Sequence, residues 1–233
     1  MSNNGDTVKV TLFGNSGVGK TEIISRFINN DFKEGTMTAR GADYSQKSIT
    51  IKNQTINLDL WDTAGQENYH SLGRHFYKDS LIVLLVYDIT NRESFEDLKS
   101  LWYNDLKRFG EKYSVLAVVG NNCDLFENEV VSEEEGRQFA EKINAEFMLV
   151  SPKTGENINN LFYLLVNKYL DPSFQEKLEE INQNKPNIKI TKKNKGKNIK
   201  NTNDKNIKEM KTKKEEENNW KSYKFCFMKY KNY

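Results

Sequence analysis

The chain has 233 residues with 35 Lys+Arg and 33 Asp+Glu, a net charge of +2. Residues 1–170 carry 18 basic and 24 acidic side chains, whereas residues 171–233 carry 17 and 9, so the basic character belongs to the C-terminal part. The two cysteines, Cys123 and Cys226, exclude a disulfide-rich scaffold and fit a reducing compartment, and the longest apolar run, 81–87, is too short to span a bilayer.

Short apolar and β-branched runs alternate with longer helical patterns along the first 170 residues. This alternation predicts an α/β fold with a mostly parallel sheet covered by helices. The predicted strands are TVKVTLF (7–13), QKSITI (46–51), TINLDLW (55–61), LIVLLVY (81–87), VLAVVG (115–120) and EFMLV (146–150).

The clearest helical pattern lies near the end of this region, where apolar side chains recur at the spacing of one helix face. They are Ile158, Leu161, Phe162, Leu165, Val166 and Tyr169. Residues 171–184 are expected to extend as one more helix. Residues 185–214 contain 12 Lys and 6 Asn, a composition that favours disorder. We therefore expect one folded domain, residues 7–170, and a mostly disordered Lys/Asn-rich tail, residues 171–233.

A glycine-rich motif follows the first predicted strand and precedes an amphipathic helix. It reads Gly14-Asn15-Ser16-Gly17-Val18-Gly19-Lys20-Thr21, which is the spacing of a phosphate-binding loop in the context that this motif requires. Its backbone N–H groups and the helix N-terminus are suited to surround a phosphate. Lys20 is expected to reach the β- and γ-phosphates of a nucleotide, and the Thr21 hydroxyl to ligate Mg²⁺.

A second motif, WDTAGQE at 61–67, lies at the end of another predicted strand. Asp62 has the position of a carboxylate that holds Mg²⁺ through a water molecule. Gly65 offers a backbone N–H without a Cβ, so the chain can approach a γ-phosphate closely. Gln66 is placed to orient an attacking water and is the predicted catalytic residue.

Two further loops follow strands and carry the side chains expected to recognise the base. They are VVGNNCDL, with Asn121, Asn122 and Asp124, and VSPKTG, with Ser151, Pro152 and Lys153. A carboxylate can accept both the ring N–H and the exocyclic amine of guanine, a pair that adenine does not offer, so Asp124 predicts guanine selectivity. Asn121 is expected to tie its loop to the phosphate loop. Phe32 either stacks on the purine or is a plain packing aromatic.

These residues resemble the Ras-like small GTPases, and within them the Rab family. The resemblance rests on GNSGVGKT, WDTAGQE, VYDIT and the GADY after the first switch, and it covers residues 7–170. It implies a P-loop GTPase fold in which a six-stranded, mostly parallel sheet is flanked by five helices. It also implies binding of GTP or GDP with Mg²⁺, slow intrinsic GTP hydrolysis, and a role in vesicle trafficking and intracellular protein transport.

The same resemblance implies three kinds of protein partner: exchange factors, GTPase-activating proteins and effectors. Their contacts are expected at the switch regions, 36–44 and 64–80. An effector-facing aromatic trio is matched by Tyr44, Trp61 and Phe76, for which ordinary hydrophobic packing is the alternative.

The first switch departs from the family pattern. Ala39 lies where the family has a metal-binding threonine, and Thr38 is one position early. Because a methyl group cannot ligate Mg²⁺, one hypothesis is that GTP orders this switch weakly. The other hypothesis is that the backbone of the switch is shifted by one residue relative to the family, which brings Thr38 to the metal.

The base-reading loops depart as well. Asn122 replaces a family lysine whose stem covers the purine, and it is too short for that contact, so we predict faster nucleotide release with guanine selectivity kept. Pro152 replaces a small residue and lacks an N–H, which removes one potential donor from its loop.

The C-terminal segment shows no lipidation motif. The chain ends MKYKNY, Cys226 is the eighth residue from the end, and Ser2 stands where myristoylation requires glycine. The N-terminus also lacks the features of a secretory signal. The expected location is the cytoplasm, with peripheral attachment to the cytosolic face of endomembranes.

The basic tail is one candidate for that attachment. Its lysines would attract anionic lipid, and aromatic side chains would enter the membrane interface. These are Trp220, Tyr223, Phe225 and Phe227. A biased composition without lipid binding is the alternative. No specific contact with nucleic acid is expected, because lysines alone bind it without reading bases.

Two functions from different classes remain open. One is a GTP-hydrolysing switch of vesicle traffic, favoured by Asp62 and Gln66. The other is a pseudo-GTPase scaffold that binds guanine nucleotide but cycles poorly, favoured by Ala39 and Asn122.

Overall fold

The computed structural model describes residues 7–31, 43–63, 76–111 and 114–184. Within these ranges the strands are β1 (Thr7–Phe13), β2 (Asp43–Ile51), β3 (Gln54–Asp62), β4 (Ile82–Asp88), β5 (Val115–Asn121) and β6 (Glu146–Val150). They form one sheet of six strands in the order β2-β3-β1-β4-β5-β6. Only the β2–β3 pair is antiparallel. The predicted six-stranded, mostly parallel sheet is confirmed.

Helices cover the sheet. They are α1 (Lys20–Asn29), α2 (Arg92–Asp97), a π-helical turn (Leu98–Trp102), α3 (Tyr103–Phe109), a 3₁₀ segment (Cys123–Asn128), α4 (Glu133–Lys142), α5 (Ile158–Tyr169) and α6 (Pro172–Asn184). The expected number of five helices depends partly on residues outside the described ranges. None of the described helices is long and apolar enough to cross a membrane.

The core lies on both faces of the sheet. On one face the rings of Phe27 in α1 and Phe162 in α5 stack with centroids 3.8 Å apart. On the other, Phe13 of β1 stacks on Tyr77 at 4.0 Å. The central strand β4 is buried along nearly its whole length, as a continuous apolar run in a parallel sheet requires.

The helical predictions are confirmed. All six residues of the predicted α5 stripe are buried. The helix expected beyond residue 170 is α6, and its Phe174 contacts Tyr169 with ring centroids 6.0 Å apart. The proposed division between the folded domain and the tail stays a prediction, because residues 185–233 lie outside the described ranges.

The carboxyl ends of the parallel strands bring the predicted motifs together. In the sheet register Leu12 pairs with Asp62, while Asp88 pairs with Asn121 and Asn121 with Val150. Ligands of open α/β sheets bind at this edge. The carboxyl ends of β1, β3, β5 and β6, which the predicted motifs follow, therefore lie at one edge of the sheet.

Candidate functional site

The predicted phosphate-binding loop is the turn between β1 and α1, and its first and last glycines are required by close packing. A Cβ on Gly14 would lie 2.1 Å from the carbonyl oxygen of Val86 in β4. A Cβ on Gly19 would lie 2.0 Å from Nδ2 of Asn121, and Gly19 has a φ of 92°. The loop is therefore pressed against two neighbouring strands, which fixes its backbone.

Lys20 begins α1 with its ammonium group inside this loop. It is 5% exposed and donates to the carbonyl oxygens of Gly14 and Asn15, each at 2.8 Å. Burial lowers the pKa of Lys20 to about 8, against the opposing effect of the carboxylates of Asp62 and Glu22. A buried cation surrounded by carbonyl oxygens is suited to neutralise an anionic ligand at this place.

The predicted metal ligands meet one another. Thr21 Oγ1 donates to Oδ2 of Asp62 at 2.5 Å, and Asp62 is 4% exposed. Both side chains offer hard oxygen atoms, which are the ligands that Mg²⁺ takes together with phosphate oxygens. The donor set of the chain therefore fits the predicted magnesium ion.

The side chain of Asn15 makes its hydrogen bonds with residues outside the predicted phosphate-binding loop. Its Nδ2 donates to Oδ2 of Asp97 at 2.7 Å, and its Oδ1 accepts from Nε1 of Trp102 at 2.8 Å. The backbone of Asn15 therefore belongs to the loop, whereas its side chain is bonded to the helical segment that follows β4.

Asn121 ties the first base-reading loop to the phosphate loop, which confirms that prediction. Its Nδ2 donates to the carbonyl oxygen of Val18 at 2.8 Å, and the residue is 1% exposed. Its Oδ1 is buried and has no hydrogen-bond partner among the described residues. A buried amide oxygen is costly unless a ligand satisfies it, so Asn121 fits a site that takes a polar ligand.

Asp124 is held at the predicted base-reading position by the second loop. Its Oδ1 accepts from Ser151 Oγ at 2.6 Å, and its Oδ2 lies 3.9 Å from Nζ of Lys153. Ser151 is fully buried, and its Oγ also accepts from the N–H of Thr154 at 3.2 Å. The carboxylate is thereby oriented, and Pro152, also buried, lies between its two partners.

Asn122 has a different partner from the one expected of a purine-covering residue. Its Nδ2 donates to Oδ2 of Asp88 at 2.8 Å. The other oxygen of Asp88 accepts from the backbone N–H and the hydroxyl of Thr90 at 2.8 and 2.7 Å. Asn122 also has a φ of 65°, a left-handed conformation that asparagine tolerates better than most residues. Its side chain therefore holds the base loop to the end of β4.

The predicted aromatic trio is contiguous. The ring of Trp61 lies 5.0 Å from that of Tyr44 and 5.9 Å from that of Phe76, centroid to centroid, and all three residues are partly exposed. The Tyr44 hydroxyl donates to Asp59 Oδ1 at 2.8 Å, which orients its ring. Partial exposure of three adjacent rings agrees with a contact surface more closely than with a sealed core.

Several predicted residues lie outside the described ranges: Phe32, Thr38, Ala39, Gly65 and Gln66. The aromatic tail and most of both switch regions lie outside them too. Their roles stay predictions from the sequence.

Sequence reasoning missed three residues that contact the site loops, namely Asp88, Asp97 and Trp102. Asp88 is the last residue of the buried strand β4, at the same sheet edge as Asp62, and that position was an available signal. Asp97 and Trp102 reach Asn15 across 82 and 87 residues of sequence, and no local pattern marks such a contact.

Comparison with known proteins covers the region that holds these loops. A model of the Ras family matches residues 9–171. Ras-related protein RHN1 of Nicotiana plumbaginifolia is 37% identical over 162 residues, which is 70% of this chain and 80% of that protein. Ras-related protein SEC4 of Candida albicans is 33% identical over 171 residues, covering 73% and 81%. Ras-related protein Rab-22A of Homo sapiens is 37% identical over 155 residues, covering 66% and 79%.

Proposed function

The chain belongs to the Ras family of small GTPases and is Rab-like within it, and from this premise we propose how its own residues operate a GDP/GTP switch of vesicle trafficking. The observation that carries the proposal is the meeting of three groups at one sheet edge. They are the buried ammonium of Lys20, the Thr21–Asp62 pair and the Asp124 carboxylate held by Ser151.

The phosphate half of the site stabilises negative charge. Lys20 would keep its contact with the Asn15 carbonyl and direct its other N–H donors to the β- and γ-phosphates. Thr21 would ligate Mg²⁺ directly and Asp62 through water, and the bound ion would neutralise the phosphate charge that develops during hydrolysis. Backbone N–H groups between Gly14 and Thr21 complete the phosphate contacts.

The base half of the site selects guanine. Asp124 would accept the two N–H donors on the guanine edge, and Asn121, whose buried Oδ1 lacks a partner among the described residues, belongs to the same loop. Adenine would leave the carboxylate without its donors, at a cost of several kcal/mol. This argument supports guanine over adenine nucleotides.

Hydrolysis is proposed to be slow without a partner. Gln66 would orient the attacking water. An arginine contributed by a GTPase-activating protein raises such rates by about 10³–10⁵. The chain is therefore proposed to depend on that partner for turnover.

The aromatic trio is proposed as the effector surface. Tyr44 and Trp61 lie on β2 and β3, and Phe76 lies within the second switch region, so a change in that region on nucleotide exchange would alter the exposed rings. Their centroid distances of 5.0 and 5.9 Å support one continuous contact surface.

Membrane attachment is proposed to be peripheral, at the cytosolic face of endomembranes. The support comes from the sequence of residues 171–233, with 17 basic and 9 acidic side chains and interleaved aromatics. Co-sedimentation of the full chain with vesicles containing phosphatidylserine, at low and physiological salt, tests this. A chain ending after Asn184 is the matched control.

Single-turnover GTP hydrolysis with and without Mg²⁺ tests the switch function. We expect slow release of phosphate that requires Mg²⁺ and that falls at least about tenfold in Gln66→Leu with GDP binding unchanged. Binding of GTP without Mg²⁺-dependent hydrolysis, and with no response to Gln66→Leu, would establish the scaffold alternative instead.

A further inference from the structure

The side chain of Asn15 is held by two residues of the helical segment after β4. Its amide donates to the Asp97 carboxylate at 2.7 Å and accepts from the Trp102 indole at 2.8 Å. A carboxylate only accepts and an indole N–H only donates, so a single orientation of the Asn15 amide satisfies both partners. Both hydrogen-bonding functions of Asn15 are therefore committed to the helical segment after β4.

A π-helical turn places the two partners on the same side of that segment. Asp97 ends α2 and Trp102 ends the π turn, in which the N–H of Tyr103 donates to the carbonyl of Leu98. In an α-helix with 3.6 residues per turn, residues five apart point in different directions, whereas i→i+5 bonding brings them into line. Such turns are frequent at functional sites, and here the turn allows both side chains to reach one residue.

The same residue meets Lys20 through its backbone. The carbonyl oxygen of Asn15 accepts from Lys20 Nζ at 2.8 Å. Trp102 is 6% exposed, and its ring lies 6.3 Å from that of Phe13, the residue before the loop. The side chain of Asn15 is thus bonded to a buried residue of the core, and its carbonyl oxygen contacts Lys20, so a shift of Asn15 moves the surroundings of Lys20.

We infer that Asp97 and Trp102 are positioning residues of the phosphate loop, which hold Asn15 and thereby set where Lys20 meets the nucleotide phosphates. The inference rests on the proposed nucleotide binding and extends it to two residues outside every nucleotide motif of the chain.

An exchange of the two side chains in the full chain tests it, with release of fluorescent GDP as the readout. Asn15→Asp places a carboxylate against Asp97, while the indole still has an acceptor, and we expect GDP release to rise about tenfold. Asp97→Asn alone retains an oxygen that accepts from Asn15 and is expected to stay within about twofold of wild type.

The double variant, Asn15→Asp with Asp97→Asn, restores the pairing in reverse. The amide introduced by the second change donates to the carboxylate introduced by the first, so release should return to within about twofold of wild type. Trp102→Phe keeps an apolar ring, removes the donor and should raise release about threefold.

A second readout separates positioning from general stability. GMP lacks the β-phosphate that Lys20 is proposed to contact, so Asn15→Asp should weaken GDP binding more than GMP binding and leave the preference for guanine over adenine unchanged. Equal losses for GDP and GMP, a double variant no better than Asn15→Asp, or release unchanged in Asn15→Asp and Trp102→Phe would each overturn the inference while wild-type GDP binding stands. A wild-type chain that binds no GDP would overturn the proposed function and this inference together.

Discussion

The hydroxyl of Thr21 donates to the carboxylate of Asp62 at 2.5 Å, which joins the first turn of α1 to the end of β3. These residues come from the two motifs that the sequence assigns to Mg²⁺, and they are 41 positions apart. Their contact places the proposed metal ligands beside the buried ammonium of Lys20. The groups proposed to hold the phosphates and Mg²⁺ therefore lie together within the described residues, and the switch loops lie outside them.

Removing the Thr21 hydroxyl should uncouple nucleotide retention from Mg²⁺. We expect Thr21→Ala to release GDP roughly tenfold to a hundredfold faster than wild type in millimolar Mg²⁺, because a charge-assisted contact of about 1.5–3 kcal/mol is lost. Thr21→Ser keeps the hydroxyl and is the matched control. Rates of fluorescent GDP release with Mg²⁺ and with a chelator give the measurement, and equal Mg²⁺ dependence in Thr21→Ala and wild type would show that Thr21 is not a ligand.

Restoring a lysine at position 122 should slow nucleotide release. Asn122 bonds to Asp88 at 2.8 Å, whereas a lysine stem would cover the purine and bury apolar area worth about 1–2 kcal/mol. We expect Asn122→Lys to lower the GDP release rate about tenfold. Asn122→Ala, which removes the Asp88 contact without adding a stem, controls for the loss of that bond. If Asn122→Lys released GDP at the wild-type rate, the short side chain of Asn122 would not be the cause of faster release.

The first switch can be tested through its two candidate positions. If Ala39 weakens the ordering of the switch by GTP, Thr38→Ala should change GTP and Mg²⁺ affinity less than about twofold. Ala39→Thr should then strengthen GTP binding about tenfold without changing GDP binding, since the added contact involves the γ-phosphate side. Calorimetric titrations of both variants decide the matter, and a large loss in Thr38→Ala would establish the one-residue shift instead.

Glu135 provides a pH-dependent stability contribution away from the nucleotide site. It accepts from Arg92 at 2.6 Å and closes a capping box with Ser132. Hydrogen bonding from Arg92 is the main cause that lowers the pKa of Glu135 from 4.5 to about 2. Because the folded-state pKa lies below the unfolded one, this contribution is fully present above about pH 4.5 and is lost as the pH falls towards 2.

We expect Glu135→Gln to lower the free energy of unfolding by up to about 1 kcal/mol at pH 7, a small value because the pair is exposed to solvent. Urea unfolding at pH 7 and pH 3 should show the difference from wild type shrinking in acid. Glu134→Gln is the matched control, since Glu134 accepts from Gln138 at 2.7 Å and not from an arginine. A difference that persists or grows in acid would refute the assignment.

The sequence predicts the bounds of a strand well where an apolar run marks it and less well where polar residues begin it. Strands β1 and β6 have the predicted bounds, because apolar runs bounded by polar loops leave little choice. Strand β2 starts at Asp43, three residues earlier than expected, and pairs through Tyr44 and Ser45 with β3. An edge strand has one partner and tolerates polar residues, so its start carries no hydrophobic signal.

The candidate site also contains contacts that the sequence predicts and contacts that it does not. That Lys20, Thr21 and Asp62 lie together is predictable, because each lies at or after the end of a strand of the same sheet, in a motif of recognisable spacing. The contacts of Asn15 with Asp97 and Trp102 are not, because they depend on a π turn and on the packing of a distant helical segment.

Whether the chain binds guanine polyphosphates with Mg²⁺ is decided by calorimetric titration of the nucleotide-stripped protein. We expect tight binding of GDP and GTP with Mg²⁺ and none of ADP, and Asp124→Asn, which turns an acceptor into a donor, should weaken GDP binding at least about a hundredfold while favouring xanthosine diphosphate. Absence of heat with both GDP and GTP, or equal affinity for ADP, would contradict the proposed function.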